Sequence, residues 1–230
     1  MWRGVYSWVD LTVCEMSSGT ELVIGRLEPP MTAQFEQMVR IYTEALPESE
    51  RKGVPELRAM LERPAYEFLI ASRGEAVVGF SIVVDLPCPN ACLLEYMAVM
   101  SGKRGLGIGR TLFLRAAGRK PAANRCMLLE VDSDKQVDVG GATRTRRKEF
   151  YRRLGCREVK GLSYRMPLVT SVTPPPMDLL VYQKEPPAEV EKALLREWLE
   201  CIYVQAYGKT ADDTRINEML APLPITLELV

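Results

Sequence analysis

Ala91–Lys120 reads ACLLEYMAVM, SGKRGLGIGR, TLFLRAAGRK: an apolar run of strand character, a turn with three alternating glycines, and a helical run. Gly105, Gly107 and Gly109 stand where the strand leaves and the helix begins. Glycine removes the Cβ that would hold an anion away from the main chain, and the first N–H groups of a helix point outward with the positive end of its dipole behind them. The stretch is a phosphate cradle in outline. The bland alternative is a set of glycines that only turn the chain.

Spacing separates this loop from two commoner cradles. A dinucleotide fingerprint G-x-G-x-x-G starting at Gly105 or Gly107 needs a third glycine where Arg110 or Leu112 stands. A phosphate loop ending in Gly-Lys-Ser/Thr fits only at Gly208-Lys209-Thr210, where Tyr203 occupies the position of the first glycine. The pattern that fits is R-x-x-G-x-G, written by Arg104, Gly107 and Gly109. It resembles the pyrophosphate loop of the GCN5-related N-acetyltransferases (GNAT superfamily), and the preceding LEYMAV resembles that family's fourth strand. Further on, Phe150-Tyr151-Arg152-Arg153-Leu154-Gly155 resembles its F-Y-x-x-x-G motif.

The composition is compatible. At 230 residues and 47% apolar the chain is long enough for one large domain, or a domain with an appendage. Formal net charge is zero and the pI is about 6.5, so no global basic field argues for nucleic acid or an anionic membrane. There is no histidine, which removes imidazole acid–base chemistry and histidine metal ligands. The cysteines Cys14, Cys88, Cys92, Cys126, Cys156 and Cys201 are scattered without paired metal spacing, and read as reduced thiols of a cytoplasmic protein that holds no metal. No apolar run reaches the roughly 18 residues of a membrane span.

Taken in order, residues 1–20 read as an N-terminal extension, either flexible or the product of an overlong start assignment. ELVIGR reads as a strand, and a helix capped by Thr32 follows with Phe35, Met38, Val39 and Tyr42 as its stripe. A second helix starts around Pro55 and buries Leu57, Met60 and Leu61. YEFLIAS and EAVVGFSIVV make a hairpin about Arg73-Gly74. CMLLEVD is a buried strand, Ser133 to Thr143 a loop, TRTRRKEFYRRLGC a basic helix stopped by Gly155, and REVKGLSYRMPL and MDLLVYQK two strands around a Pro174–Pro176 turn. In the tail, Pro187 opens a helix with Val190, Ala193, Leu194, Trp198 and Cys201 on one face. Thr210 and Asp213 suggest a capping box, and ITLEL a last strand. That face is read as core packing, with a dimer contact or substrate lid as the alternative.

The order of elements matches the GNAT fold over residues 21–186: an α/β (α+β) domain whose mixed, mostly antiparallel sheet is flanked by helices, with residues 187–230 as a C-terminal helical extension. The resemblance implies acetyl-CoA as acyl donor. It implies main-chain binding by Met97, Ala98 and Val99 on the strand and by Arg104, Gly105, Leu106, Gly107, Ile108, Gly109 and Arg110 in the loop, with the Met97 N–H polarising the thioester carbonyl. It also implies Tyr151 as the acid that protonates the departing thiolate, a task suited to a phenol of pKa near ~10.

Glu95 is the candidate base, an acid on the same strand face as Leu93 and Met97 whose burial would raise its pKa, and Glu130 is a second. Either carboxylate is alternatively paired to an arginine of the basic helix. Of that helix's Arg144, Arg146, Arg147, Lys148, Arg152 and Arg153, some are candidates to meet the 3′-phosphate of coenzyme A, the alternative being a solvated face. Cys156 departs from the family's usual aromatic residue, and no counterpart of its helix asparagine is evident. The function expected is acetyl transfer to a primary amine of a small molecule or peptide by direct attack in a ternary complex, with no nucleic-acid or membrane partner and a homodimer possible. A non-catalytic acyl-CoA sensor or interaction module on the same fold is the other class.

Overall fold

The computed structural model describes residues 12–14, 21–29, 32–88, 90–118, 125–135, 140–169 and 175–230. The expected N-terminal extension lies outside these residues, except for a short strand β1 (Thr12–Cys14), and so does Pro174 of the proline turn. After β1 come β2 (Leu22–Arg26), α1 (Thr32–Ala45), α2 (Val54–Leu61), β3 (Tyr66–Arg73), β4 (Ala76–Asp85), β5 (Ala91–Val99), α3 (Ile108–Ala117), β6 (Cys126–Asp132) and α4 (Gly141–Arg153). The remainder is β7 (Arg157–Glu158), β8 (Met177–Tyr182), β9 (Glu189–Glu191), α5 (Lys192–Gln205), α6 (Thr214–Leu220) and β10 (Thr226–Glu228).

One sheet organises the chain, in the order β1-β2-β3-β4-β5-β6-β8-β7, and only the β5–β6 pair is parallel. The hairpin turns on Gly74 and Glu75, with Gly74 at φ +59°, because a tight turn needs a residue that tolerates positive φ. Each face of the sheet carries its own apolar layer. Phe35, Met38 and Tyr42 of α1, Leu57 of α2, and Leu195, Trp198 and Leu199 of α5 pack on one side. Ile108, Leu112 and Phe113 of α3 and Tyr151 of α4 pack on the other.

Several expectations are corrected. Thr32 is the first residue inside α1 rather than its cap. Of REVKGLSYRMPL only Arg157–Glu158 is a strand, with isolated bridges at Val159 and Tyr164 beyond it. The tail helix begins at Lys192, not Pro187, because residues 189–191 are drawn into β9 by pairing with β10. Its buried face is therefore Leu195, Trp198, Leu199, Ile202 and Tyr203, while the expected Ala193 and Leu194 are exposed. Asp213 alone caps α6, accepting from the Arg215 N–H at 3.1 Å.

The tail is bolted to the sheet at its far edge. Glu158 and Val230 exchange main-chain hydrogen bonds of 2.7 and 3.0 Å, and the Lys160 N–H donates to the Glu228 carbonyl at 3.0 Å. Large side chains such as Trp198 and Tyr203, each contributing about 1.5–3 kcal/mol when buried, hold α5 on the same core as α1. No helix among the described residues is long and apolar enough to cross a membrane.

Candidate functional site

The cofactor side begins with the way β5 ends. It pairs with β6 only from Ala91 to Leu94, opposite Cys126 to Leu129. Beyond that point β6 keeps its place against β8 while β5 diverges, so a gap opens between Glu95–Val99 and Glu130–Asp132. The divergence coincides with a bulge: Leu94 pairs with Val83 and Tyr96 with Ile82, leaving Glu95 as the extra residue.

The bulge overturns one expectation. Alternation puts Leu93, Glu95 and Met97 on one face, but the inserted residue shifts the phase, so Leu93 packs in one core layer and Met97 against the other. Past the bulge, the Met100 N–H donates to the Val78 carbonyl at 2.9 Å. By the alternation of an antiparallel ladder, Tyr96 and Ala98 bond to β4 as well, and the N–H groups of Met97 and Val99 face the gap.

At the foot of the gap the glycine loop leads into α3. Gly105 and Gly107 sit at φ +81° and +78°, and Gly107 is the residue preceding the helix, with no side-chain cap on its first N–H groups. A Cβ at either glycine would meet no protein atom within 4 Å, so space beside this main chain is left open. Gly109 differs: it lies inside α3, where a Cβ would come within 3.4 Å of the Phe150 ring, and its role is close packing. The Arg104 guanidinium folds back onto the Val99 carbonyl at 3.3 Å, tying the loop to the strand. Uncapped helical N–H groups beside open glycines fit a pyrophosphate.

A cavity of about 840 Å³ runs from this loop along the gap, and Glu95, Met97, Ala98, Val99, the glycine loop and Tyr151 all line it except Leu106. Tyr151 comes from α4, packed against Phe113 and Phe150 at ring separations of 5.8 and 5.2 Å. Burial holds its phenol well above the ordinary range, with Arg147 opposing, so the proton stays in place.

The basic helix divides its charges. Lys148 is wholly buried, bonded to Asp134 (2.8 Å), Glu158 (2.8 Å) and Asp178 (2.5 Å); Arg152 reaches Glu158 and Arg147 reaches Asp132. Arg146 and Arg153 line the cavity. The expected solvated face therefore fails at Lys148, which is buried.

The opposite end of the cavity is acidic. The Glu95 side chain, 3% exposed, pairs with Lys52, whose ammonium also donates to the Ala206 carbonyl at 2.6 Å. Burial raises the Glu95 pKa and Lys52 opposes it. Neither Glu95 nor Glu130 takes an arginine of α4. Glu130 instead accepts from the hydroxyls of Tyr164 and Tyr207, the latter at 2.7 Å, and its pKa is pushed up to about 7 by burial despite those bonds.

Glu50 is likewise pushed up to about 7, by burial and then by Asp132, with Arg147 opposing. The loop carrying Glu50 and Lys52 is pinned from both sides. The Tyr96 hydroxyl donates to the Glu50 carbonyl (3.1 Å), and the Lys52 N–H donates to the Tyr42 hydroxyl (2.7 Å).

Sequence reasoning missed Glu50, Lys52, Tyr164 and Tyr207. Glu50 and Lys52 sit in ESERKG, which carries the signature of a solvated loop, and Tyr207 reads only as the end of a helix. Among the described residues no group of three Cys, Asp or Glu side chains is placed to hold a metal ion.

Splayed strands, an uncapped helix start beside open glycines and a buried tyrosine thus share one cavity. Residues 64–158 match the family model for the acetyltransferase (GNAT) domain, and the chain carries that domain. No curated protein matches the chain. Among solved structures, a GNAT-family acetyltransferase of Bacteroides thetaiotaomicron superposes with a TM-score of 0.64 at 20% identity, covering 80% of this chain and 98% of its own.

An aminoglycoside 6'-N-acetyltransferase complexed with coenzyme A gives a TM-score of 0.54 at 19% identity, over 71% of this chain and 98% of its own. NAA60 of Arabidopsis thaliana, in complex with acetyl-CoA, gives 0.53 at 14% identity over the same shares. At these identities the likeness is one of fold. The family model describes residues 64–158 as an acetyltransferase domain.

Proposed function

We propose that the protein transfers the acetyl group of acetyl-CoA to a primary amine by direct attack within a ternary complex. The observation that carries this reading is the gap itself: outward N–H groups of Met97 and Val99 and an uncapped helix start at Gly107 share one cavity with Tyr151. The loop Arg104–Arg110 holds the pyrophosphate, Leu106 through its main chain, and Val99 pairs with the pantetheine arm.

The amine nitrogen forms its bond to the thioester carbon while the carbon–sulfur bond breaks. Negative charge that develops on the carbonyl oxygen is met by the Met97 N–H, a donor fixed before the reaction and therefore selective for the transition state. Glu95 accepts the proton that the substrate ammonium must lose, directly or through water, and Lys52 opposes the rise in pKa that burial gives that carboxylate. Tyr151 gives its proton to the leaving sulfur.

The experiment pairs calorimetric titration of acetyl-CoA with thiol release in the presence of amines. Gly107→Leu places a side chain where the structure leaves open space, and is expected to weaken acetyl-CoA at least tenfold, about 1.4 kcal/mol. Unchanged affinity in that variant would remove the loop from the site. Absence of turnover with every amine, beside tight acetyl-CoA binding, would favour the sensor reading.

A further inference from the structure

We propose that the end of the cavity walled by Glu50, Glu130 and Asp132 is a subsite for a second cationic group on the acceptor, making the acceptor a small di- or polyamine. This rests on the acetyltransferase reading of the same cavity. Both signs of charge line the cavity: Lys103, Arg104 and Arg110 at the glycine loop, Arg146, Arg147 and Arg153 from α4, and these three carboxylates.

The carboxylates interact with one another across that end. Glu50 feels both Asp132 and Glu130, and Arg147, which is bound to Asp132 at 2.6 Å, opposes them. Against these three acids stand the Arg147 guanidinium and, beside Glu130, the Lys52 ammonium that Glu95 already engages. The arrangement also leaves acceptor capacity unused. Oδ1 of Asp132 has no hydrogen-bond partner, although its side chain is only 10% exposed and the residue lines the cavity. Orphaned buried carboxylate oxygens are costly, and an ammonium donor relieves that cost.

Size is set from the tail. Tyr207, beyond the matched domain, walls this end together with Met166 and Met177, and its hydroxyl fixes Glu130 from one side while Tyr164 fixes it from the other. The reacting amine belongs beside Glu95 and Met97, and a second ammonium on a short aliphatic spacer then falls among Glu50, Glu130 and Asp132. A monoamine leaves those acids unmatched.

Affinity for such a dication rises from pH 6 to pH 8. Over that range Glu50, facing Asp132, Arg147 and Glu130, and Glu130, facing Tyr164, Tyr207, Glu95 and Lys52, lose their protons, while aliphatic ammonium groups keep theirs.

The test titrates 1,4-diaminobutane and n-butylamine into the complex of the full chain with coenzyme A, so that binding is read without turnover. The diamine is expected to bind at least tenfold more tightly at pH 8, with a smaller ratio at pH 6. Glu130→Gln and Glu50→Gln are each expected to bring the ratio towards one, in variants shown by thermal unfolding to be folded. Equal wild-type affinities, including no detectable binding of either amine, would overturn the subsite, as would a ratio that neither variant changes. Coenzyme A affinity measured alone separates the two levels: its absence removes the acetyltransferase reading, whereas its presence beside equal amine affinities removes only the second cation.

Discussion

Two clusters of charge gather around buried carboxylates, and they are built on opposite plans. Around Lys148 the acids Asp134, Glu158 and Asp178 meet Lys148, Lys135 and Arg152, three of each sign, within hydrogen-bond distance. Burial alone would raise those carboxyls, but hydrogen bonds from Lys148 and Lys135 outweigh it and leave all three below their ordinary range.

At the acidic end of the cavity the count does not close, and Glu50 and Glu130 stand near 7. A complete cluster fixes α4 against the sheet and has nothing to offer a ligand. An incomplete one costs the fold, and that cost marks a place where a ligand supplies the missing charge.

The largest effect that would test this contrast comes from breaking the complete cluster. Lys148→Met leaves three acids short of their central cation, and is expected to lower stability by about 3–5 kcal/mol at neutral pH, read from urea denaturation. The wild-type cluster also sets an acid limit. Because these carboxyls have lowered pKa values in the folded state, their stabilisation is full above the ordinary carboxylate range and is lost as pH falls through the folded values. A Lys148→Met protein as stable as wild type would show the two clusters to be alike.

Next in size is Tyr151, which stands between the two regions on α4. Tyr151→Phe keeps the ring packing on Phe113 and Phe150 and removes only the hydroxyl. Turnover is expected to fall about 10²-fold, with acetyl-CoA affinity within about twofold, by steady-state kinetics and calorimetry. Unchanged turnover would take the tyrosine out of the proton transfer.

Sequence carried the first of these regions less well than the cavity's glycine-loop end. The glycine loop, its strand and Tyr151 lie in contiguous motifs, which a family resemblance can match locally. Glu95 could be found as an acid in an apolar strand, but not its bulge, since one extra residue changes every face that alternation assigns.

The acidic end is assembled from a loop before α2, the end of β6, a segment after β7 and the end of α5, brought together only by the fold. Lys148 looked like part of a solvated basic helix because its three acids lie 10 to 30 residues away. The tail helix was misphased because the pairing of β9 with β10, 35 residues apart, sets where it starts.

The smallest expected effect has the opposite sign from the first, and is the sharper test for that reason. Glu50 has its folded pKa raised from 4.5 to about 7. A carboxyl with a raised value binds its proton more tightly folded than unfolded, so its ionisation costs stability as pH climbs from the unfolded value through the folded one.

Glu50→Gln carries no such cost and keeps nearly the same shape. Near pH 4.5 the two proteins should be almost equally stable, and at pH 8 the variant should be more stable by about 1 kcal/mol, a figure kept small because Glu50 is part-exposed and screened by solvent. Urea midpoints at the two pH values measure this. A gain that appears only at high pH means Glu50 is an acid without its counter-ion, which a cationic acceptor supplies. A loss there would mean that Glu50 is already matched within the protein, as Lys148 is, and the acidic end of the cavity would then be one more closed cluster.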